Sequence, residues 1–173
     1  MNRLIIILLL CFAPALVQAA DISATIKQEA EKCAKAIVSE DYETVVTYTH
    51  KRVVTGMGGK ESMIAKMKQG AVQMRRGGYD FVGAKIGTPA KPQKTGAWLT
   101  SLVPQEITMK VPGGRLLQES KLLAISENDG ASWVFLDLGG GVTATQLAQI
   151  FPELSGQIQF PEKKKPVFYP DKK

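Results

Sequence analysis

The pair Gly77-Gly78 divides the chain into two parts that differ in the spacing of their apolar residues. Before this pair, apolar residues recur every three or four positions, which is the spacing of amphipathic helices. After it, apolar runs of strand length alternate with turn sequences such as Asn128-Asp129-Gly130, which favour hairpins. Successive hairpins imply an antiparallel sheet. The sequence therefore predicts an α+β fold, with helices first and a sheet after them.

Three helices are predicted in the N-terminal part. The first spans about residues 22–38 and carries Cys33 on its apolar stripe. Ser39-Glu40-Asp41 ends it and caps a second, shorter helix, after which the chain leaves through residues 50–54 to a glycine turn. The third helix begins at Lys60 and ends at Gly77, since glycine is common just past a helix C-terminus.

Four strands are predicted next, at residues 79–86, 97–111, 115–126 and 132–138, with a loop at 88–96. The second strand contains Pro104, so we expect it to bend or to lie at a sheet edge there. The third strand is apolar on both faces. We expect one face to pack on the helices and the other to be available to another subunit. A short helix is predicted at 143–151.

Residues 1–19 read as a signal peptide. Arg3 precedes the apolar run 4–12, and Val17 and Ala19 place small residues where signal peptidase needs them. The apolar run is too short for a spanning helix, which needs about 20 residues. We therefore expect cleavage after Ala19, no integral membrane segment in the mature chain, and a periplasmic or secreted protein.

The expected domain covers residues 20–155, followed by a Pro- and Lys-rich tail at 156–173. The tail has little apolar content, so we expect it to be extended and to contribute little to stability. Much of the net charge of +6 lies in this tail, and no aromatic residues are interleaved with the basic clusters. This pattern argues against a nucleic-acid partner.

Composition excludes several classes of site. The chain has one His and two Cys, which excludes zinc fingers, His-rich metal sites and disulfide scaffolds. Cys11 lies in the predicted signal peptide, so Cys33 is the one thiol of the mature chain, and its place on an apolar stripe predicts a buried, unreactive side chain. No metal or cofactor is expected.

Several short segments resemble the nuclear transport factor 2-like (cystatin-like cone) superfamily. They are Glu40-Asp41-Tyr42-Glu43, Tyr48-Thr49-His50, Gly58-Gly59-Lys60-Glu61, and Trp133-Val134-Phe135-Leu136-Asp137 followed by Phe151-Pro152-Glu153-Leu154. The resemblance implies three N-terminal helices packed on a curved antiparallel sheet, with a pocket between the concave sheet and the first helix, often in a homodimer. The family includes binding adaptors as well as steroid isomerases, polyketide cyclases and dehydratases.

The leading hypothesis is an exported module that binds a small apolar ligand or a protein partner in a cone-shaped pocket. The candidate lining residues are aromatic: Tyr48, Trp98, Trp133 and Phe135.

The alternative is a cofactor-free isomerase, cyclase or dehydratase with Asp137 or His50 as general base. Each of these residues also has a structural interpretation. Asp137 could cap the turn at Gly139, and His50 could close the C-terminus of the second helix.

Overall fold

A computed structural model describes residues 15–139, 141–162 and 164–172, with side chains from residue 22 onward. Most of the predicted signal peptide, residues 1–14, lies outside the described residues, so its cleavage stays a prediction. Residues 15–19 form the start of the first helix. Within the described residues, the structure contains no helix long and apolar enough to cross a membrane.

Four helices precede the first strand in the described chain: α1 (Ala15–Val38), α2 (Tyr42–Thr47), α3 (Lys51–Gly56) and α4 (Lys60–Arg76). The prediction of three helices is therefore one short. The additional helix is α3, at the place where the sequence predicts an exit to a turn. It begins there because the side chain of His50 accepts a hydrogen bond from the backbone N–H of Arg52, at 3.1 Å.

The sheet has six strands in the described chain: β1 (Asp80–Ile86), β2 (Gln93–Thr95), β3 (Trp98–Val111), β4 (Gly114–Ser126), β5 (Val134–Asp137) and β6 (Val167–Pro170). All pairs are antiparallel, in the order β1-β3-β4-β5, with β2 on β3 and β6 on β4. The sheet is strongly curled into a half-barrel. The predicted α+β class and antiparallel sheet are confirmed, whereas the expected loop 88–96 contains a short strand.

Pro104 lies within β3, which continues through it. Its carbonyl accepts a hydrogen bond from the N–H of Gly87 at 2.8 Å. The N–H group that proline lacks would point toward this same side of β3. On this side β1 has just ended, at Ile86. The proline therefore occupies a position where the sheet needs no donor, as expected for an edge.

Around the C-terminal half of β4, both faces of the sheet are covered by other parts of the protein. Val103, Leu122 and Ala124 face α1 and pack with Ile26 and Cys33, and this thiol is buried as predicted.

On the opposite face, Leu123 and Ile125 pack against the C-terminal layer, which comprises α5 (Ala144–Ile150) and the 3-10 turn Pro152–Leu154. The C-terminal half of β4 is apolar on both faces because each face is covered there. At Leu123 and Ile125 the second face is therefore not a free surface for another subunit, whereas Leu116 and Leu117 are half-buried.

The tail is more ordered than its composition suggests. Ile158 and Phe160 pack against the C-terminal layer, and β6 pairs with β4 from Gly114 to Leu117. The tail is extended, as expected, but its segment Val167–Pro170 is docked as a strand on β4, and its effect on stability stays a prediction. The physical reason is backbone pairing with a distant strand, which requires little apolar content.

Candidate functional site

An open groove lies between the C-terminal end of α1, helices α2 and α4, and the start of β1, and it contains a cavity of about 290 Å³. Most of its walls are apolar. The lining residues are Ile37, Val38, Glu40, Tyr42, Val45, Met67, Gly70, Ala71, Met74, Asp80 and Phe81.

Helix α4 explains why the groove is open. In the sequence, its apolar residues recur every three or four positions, as on one continuous face, but the structure divides that face in two. Met63 and Ile64 are buried against Val46 of α2. One to three turns later, Met67 and Met74 are half-buried and line the groove. Among the described residues, no layer of the protein therefore covers the C-terminal half of the stripe.

Gly70 lies in the middle of α4 and lines the groove. A glycine inside a helix destabilises it by about 0.5–1 kcal/mol relative to alanine. A Cβ at this position would meet no atom within 4 Å, so packing does not require glycine here. Its backbone is helical, so conformational freedom does not require it either. The visible effect of the missing side chain is a wider groove.

The rim of the groove carries two carboxylates. Glu40 forms an ion pair with Arg75 of α4, whereas Asp80 has no ion pair among the described residues. Burial raises the pKa of Tyr42, and the negative charge of Asp80 raises it further, so the hydroxyl stays protonated near neutral pH. The groove thus combines a long apolar wall with one hydroxyl and one carboxylate that has no ion pair among the described residues.

Three of the four predicted pocket residues come together, but in the core. Trp133 and Phe135 are buried beneath α1, and Tyr48 packs beside them with its ring 6.1 Å from that of Phe135. The Tyr48 hydroxyl donates to Glu29 at 2.7 Å. Trp98 lies on the opposite face of the sheet, with the C-terminal layer. None of these four residues lines the groove.

His50 is buried, and both of its ring nitrogens have partners. Nδ1 accepts from the N–H of Arg52, so the proton of the neutral ring is on Nε2, which faces Glu127 at 3.4 Å. Burial lowers the pKa of His50, against the opposing effect of Glu127. The ring also packs edge-on against Phe151, at 4.7 Å between centroids. A substrate could reach either nitrogen only by displacing one of these partners.

The expectation that His50 closes a helix C-terminus is wrong, because the residue is the N-cap of α3.

Asp137 lies at the end of β5, on the same side as Phe135. Its Oδ1 accepts from the N–H of Gly139 at 2.7 Å and from the hydroxyl of Ser120 at 3.3 Å. The turn-capping interpretation of Asp137 is therefore confirmed. The residue is remote from the groove, so the two candidate bases converge neither with each other nor on the cavity.

Sequence reasoning missed the group around Arg52. Its guanidinium makes two hydrogen bonds to Glu153, at 2.7 and 2.8 Å, and lies 5.2 Å from the ring centroid of Trp98. The paired guanidinium lowers the pKa of Glu153 to about 2. This contact joins α3 to the C-terminal layer. The basic run 50–52 is its one visible signal in the sequence, and nothing local points to its partner 101 residues away.

Among the described residues, no group of three or more His, Cys, Asp or Glu side chains is placed to hold a metal ion. No protein-family model, no curated protein and no solved structure matches the chain.

Proposed function

We propose that the protein is an exported module that binds a small, largely apolar ligand in the groove between α1, α2, α4 and β1. The observation that carries this proposal is Gly70. It leaves the apolar cavity open at a position where neither the backbone nor the packing of α4 calls for glycine. Export rests on the predicted signal peptide.

The size of the cavity limits the ligand. At about 290 Å³, it lies near the lower end of the roughly 300–1,000 Å³ typical of small-molecule sites. Burying a ten-carbon chain contributes about 8 kcal/mol at about 0.8 kcal/mol per methylene. Association costs at least about 4 kcal/mol. At most about 4 kcal/mol then remains, which corresponds to a Kd of about 1 mM or above, so we expect weak affinity from apolar burial alone.

The proposal contains no reaction. His50 and Asp137 lie outside the groove, and each is held by hydrogen bonds to a helix start or a turn. Membership of the cone superfamily remains part of the proposal. It is supported by helices packed on a curled antiparallel half-barrel, although the groove lies beside the aromatic core rather than within it.

The proposal can be tested by filling the groove with a larger side chain on α4. Gly70→Leu places a side chain in the open space, and Ala65→Leu adds a leucine at an exposed position of the same helix that does not line the groove. The neutral dye N-phenyl-1-naphthylamine, which fluoresces in apolar surroundings, is titrated into each protein. We expect saturable binding to the wild type and to Ala65→Leu, and at least about tenfold weaker binding to Gly70→Leu.

Thermal unfolding of each variant serves as the folding control, since Gly70→Leu favours the helix and Ala65→Leu changes its propensity little. An absence of saturable dye binding to the wild type would contradict the proposal. Equal affinity of the wild type and a folded Gly70→Leu would contradict it as well.

A further inference from the structure

We propose that Asp80 makes the groove selective for a ligand that carries a positively charged head group on its apolar body. This inference rests on the proposed function and adds the chemical class of the ligand. It follows from the charges at the rim, which differ in whether they already have partners.

The two carboxylates at the rim differ in their partners. Arg75 reaches Glu40 from α4, so this pair is internally neutral. Asp80 is the first residue of β1 and lines the same cavity, yet it has no ion pair among the described residues. An ammonium group reaching its carboxylate would form a charge-assisted hydrogen bond, which is stronger than a bond between neutral groups.

One cation of the protein itself, Lys110, can compete with a ligand for Asp80. Lys110 of β3 is directly opposite Asp80 in the strand register, and side chains at such positions lie on the same side of the sheet. Lys110 is exposed and does not line the cavity. It can therefore attract Asp80 from the solvent side, and it competes with a cationic ligand without blocking the groove.

The long-range electrostatic field of the whole chain has the opposite preference. A net charge of +6 attracts anions and repels cations at long range. Non-specific binding of an amphiphile would therefore favour a negatively charged head group. Preference for a cation would run against this general field, so it would have to come from a local carboxylate.

The experiment compares decylamine, decanol and decanoate at neutral pH, each below its micelle-forming concentration, by displacement of N-phenyl-1-naphthylamine. The three share one apolar chain and differ in the charge of the head group. We expect decylamine to bind tightest and decanoate weakest, with at least about a tenfold difference between them. In Asp80→Asn this difference should fall to about twofold or less, whereas decanol should bind as it does to the wild type.

Two further variants sharpen the result. Asp129→Asn removes an exposed carboxylate from the turn before β5 and should leave the order of the three ligands unchanged. Lys110→Ala removes the competitor and should strengthen binding of decylamine but not of decanol. It also provides a test if Asp80→Asn fails to fold.

The two levels of the proposal fail in different ways. If none of the three compounds displaces the dye, the groove is not an apolar ligand site and both proposals are overturned. If all three bind with similar affinity, or if decanoate binds tightest, the groove binds apolar chains but Asp80 does not select the head group.

Discussion

Gly114→Ala should destabilise the full-length protein but stabilise a chain that lacks the C-terminal strand. Gly114 begins β4, beside β6. A Cβ at this position would overlap the carbonyl oxygen of Tyr169 and lie 2.8 Å from a ring atom of Phe168. Alanine therefore cannot be accommodated unless β6 moves away. Without β6, the same alanine meets neither of these two residues.

The magnitude follows from what β6 contributes. Its pairing with four residues of β4 and the bond from the N–H of Asp171 to Gly113 give about three backbone hydrogen bonds, each worth about 1 kcal/mol net. Arg115 lies 5.7 Å from the ring centroid of Tyr169, which adds about 0.5–1 kcal/mol. Burial of about half of the Val167, Phe168 and Tyr169 side chains adds about 1 kcal/mol each. Ordering the four residues of β6 offsets most of the total, at about 1–2 kcal/mol per residue. We expect a net contribution of about 1–2 kcal/mol.

The full-length Gly114→Ala protein should therefore lose about 1 kcal/mol of unfolding free energy, because detaching β6 outweighs the gain from alanine. In a chain that ends at Phe160, Gly114→Ala should instead gain up to about 0.5–1 kcal/mol, the usual advantage of alanine over glycine in a strand. Urea unfolding of the four proteins measures both differences.

Gly113→Ala is the matched control. Gly113 has φ +79°, so alanine is strained there with or without the tail, and the variant should be destabilised in both backgrounds. If Gly114→Ala has the same sign in both backgrounds, close packing of β6 on β4 is not what excludes a side chain at this position.

Three further predictions concern other parts of the chain. His50→Ala should cost about 0.5–2 kcal/mol by removing the N-cap of α3, whereas His50→Asn should keep it. Burial lowers the pKa of His50 in the folded protein. The stabilisation of the fold by neutral His50 is therefore fully present above the unfolded pKa of about 6.5, and it is lost as the pH falls through the lower folded pKa. Urea unfolding at pH 7 and pH 5 should therefore show a larger loss of stability for the wild type than for His50→Asn; equal losses would contradict a lowered pKa of His50. Burial raises the pKa of the Cys33 thiol to about 11, so in a chain beginning at Ala20 it should react with a thiol reagent only in denaturant, and rapid labelling of the native protein would refute its burial. The protein recovered after export should begin at Ala20 by intact-mass analysis, and a retained Met1 would refute cleavage after Ala19.

Local sequence determined the class of the fold and most of its elements. The periodicity of residues 22–38 and 60–76 and the hairpin signals after Gly78 are properties of neighbouring residues, so they predict α1, α4 and the long strands. Capping hydrogen bonds can also be predicted from neighbouring residues when donor and acceptor are close in the chain. Asp137 bonds to the N–H two residues later, and this role was predictable.

Tertiary structure decided which apolar faces are covered and which polar groups meet. The sequence shows one continuous stripe on α4. Only the packing of α2 and α3 buries its first half, and only the position of the end of α1 leaves its second half lining a groove. Likewise, Glu127 and Glu153 reach His50 and Arg52 across 77 and 101 residues. Such contacts depend on how the curled sheet brings the C-terminal layer to α3, and no local pattern encodes that distance. The same holds for β6, whose place depends on the absence of a side chain at Gly114 rather than on the composition of the tail.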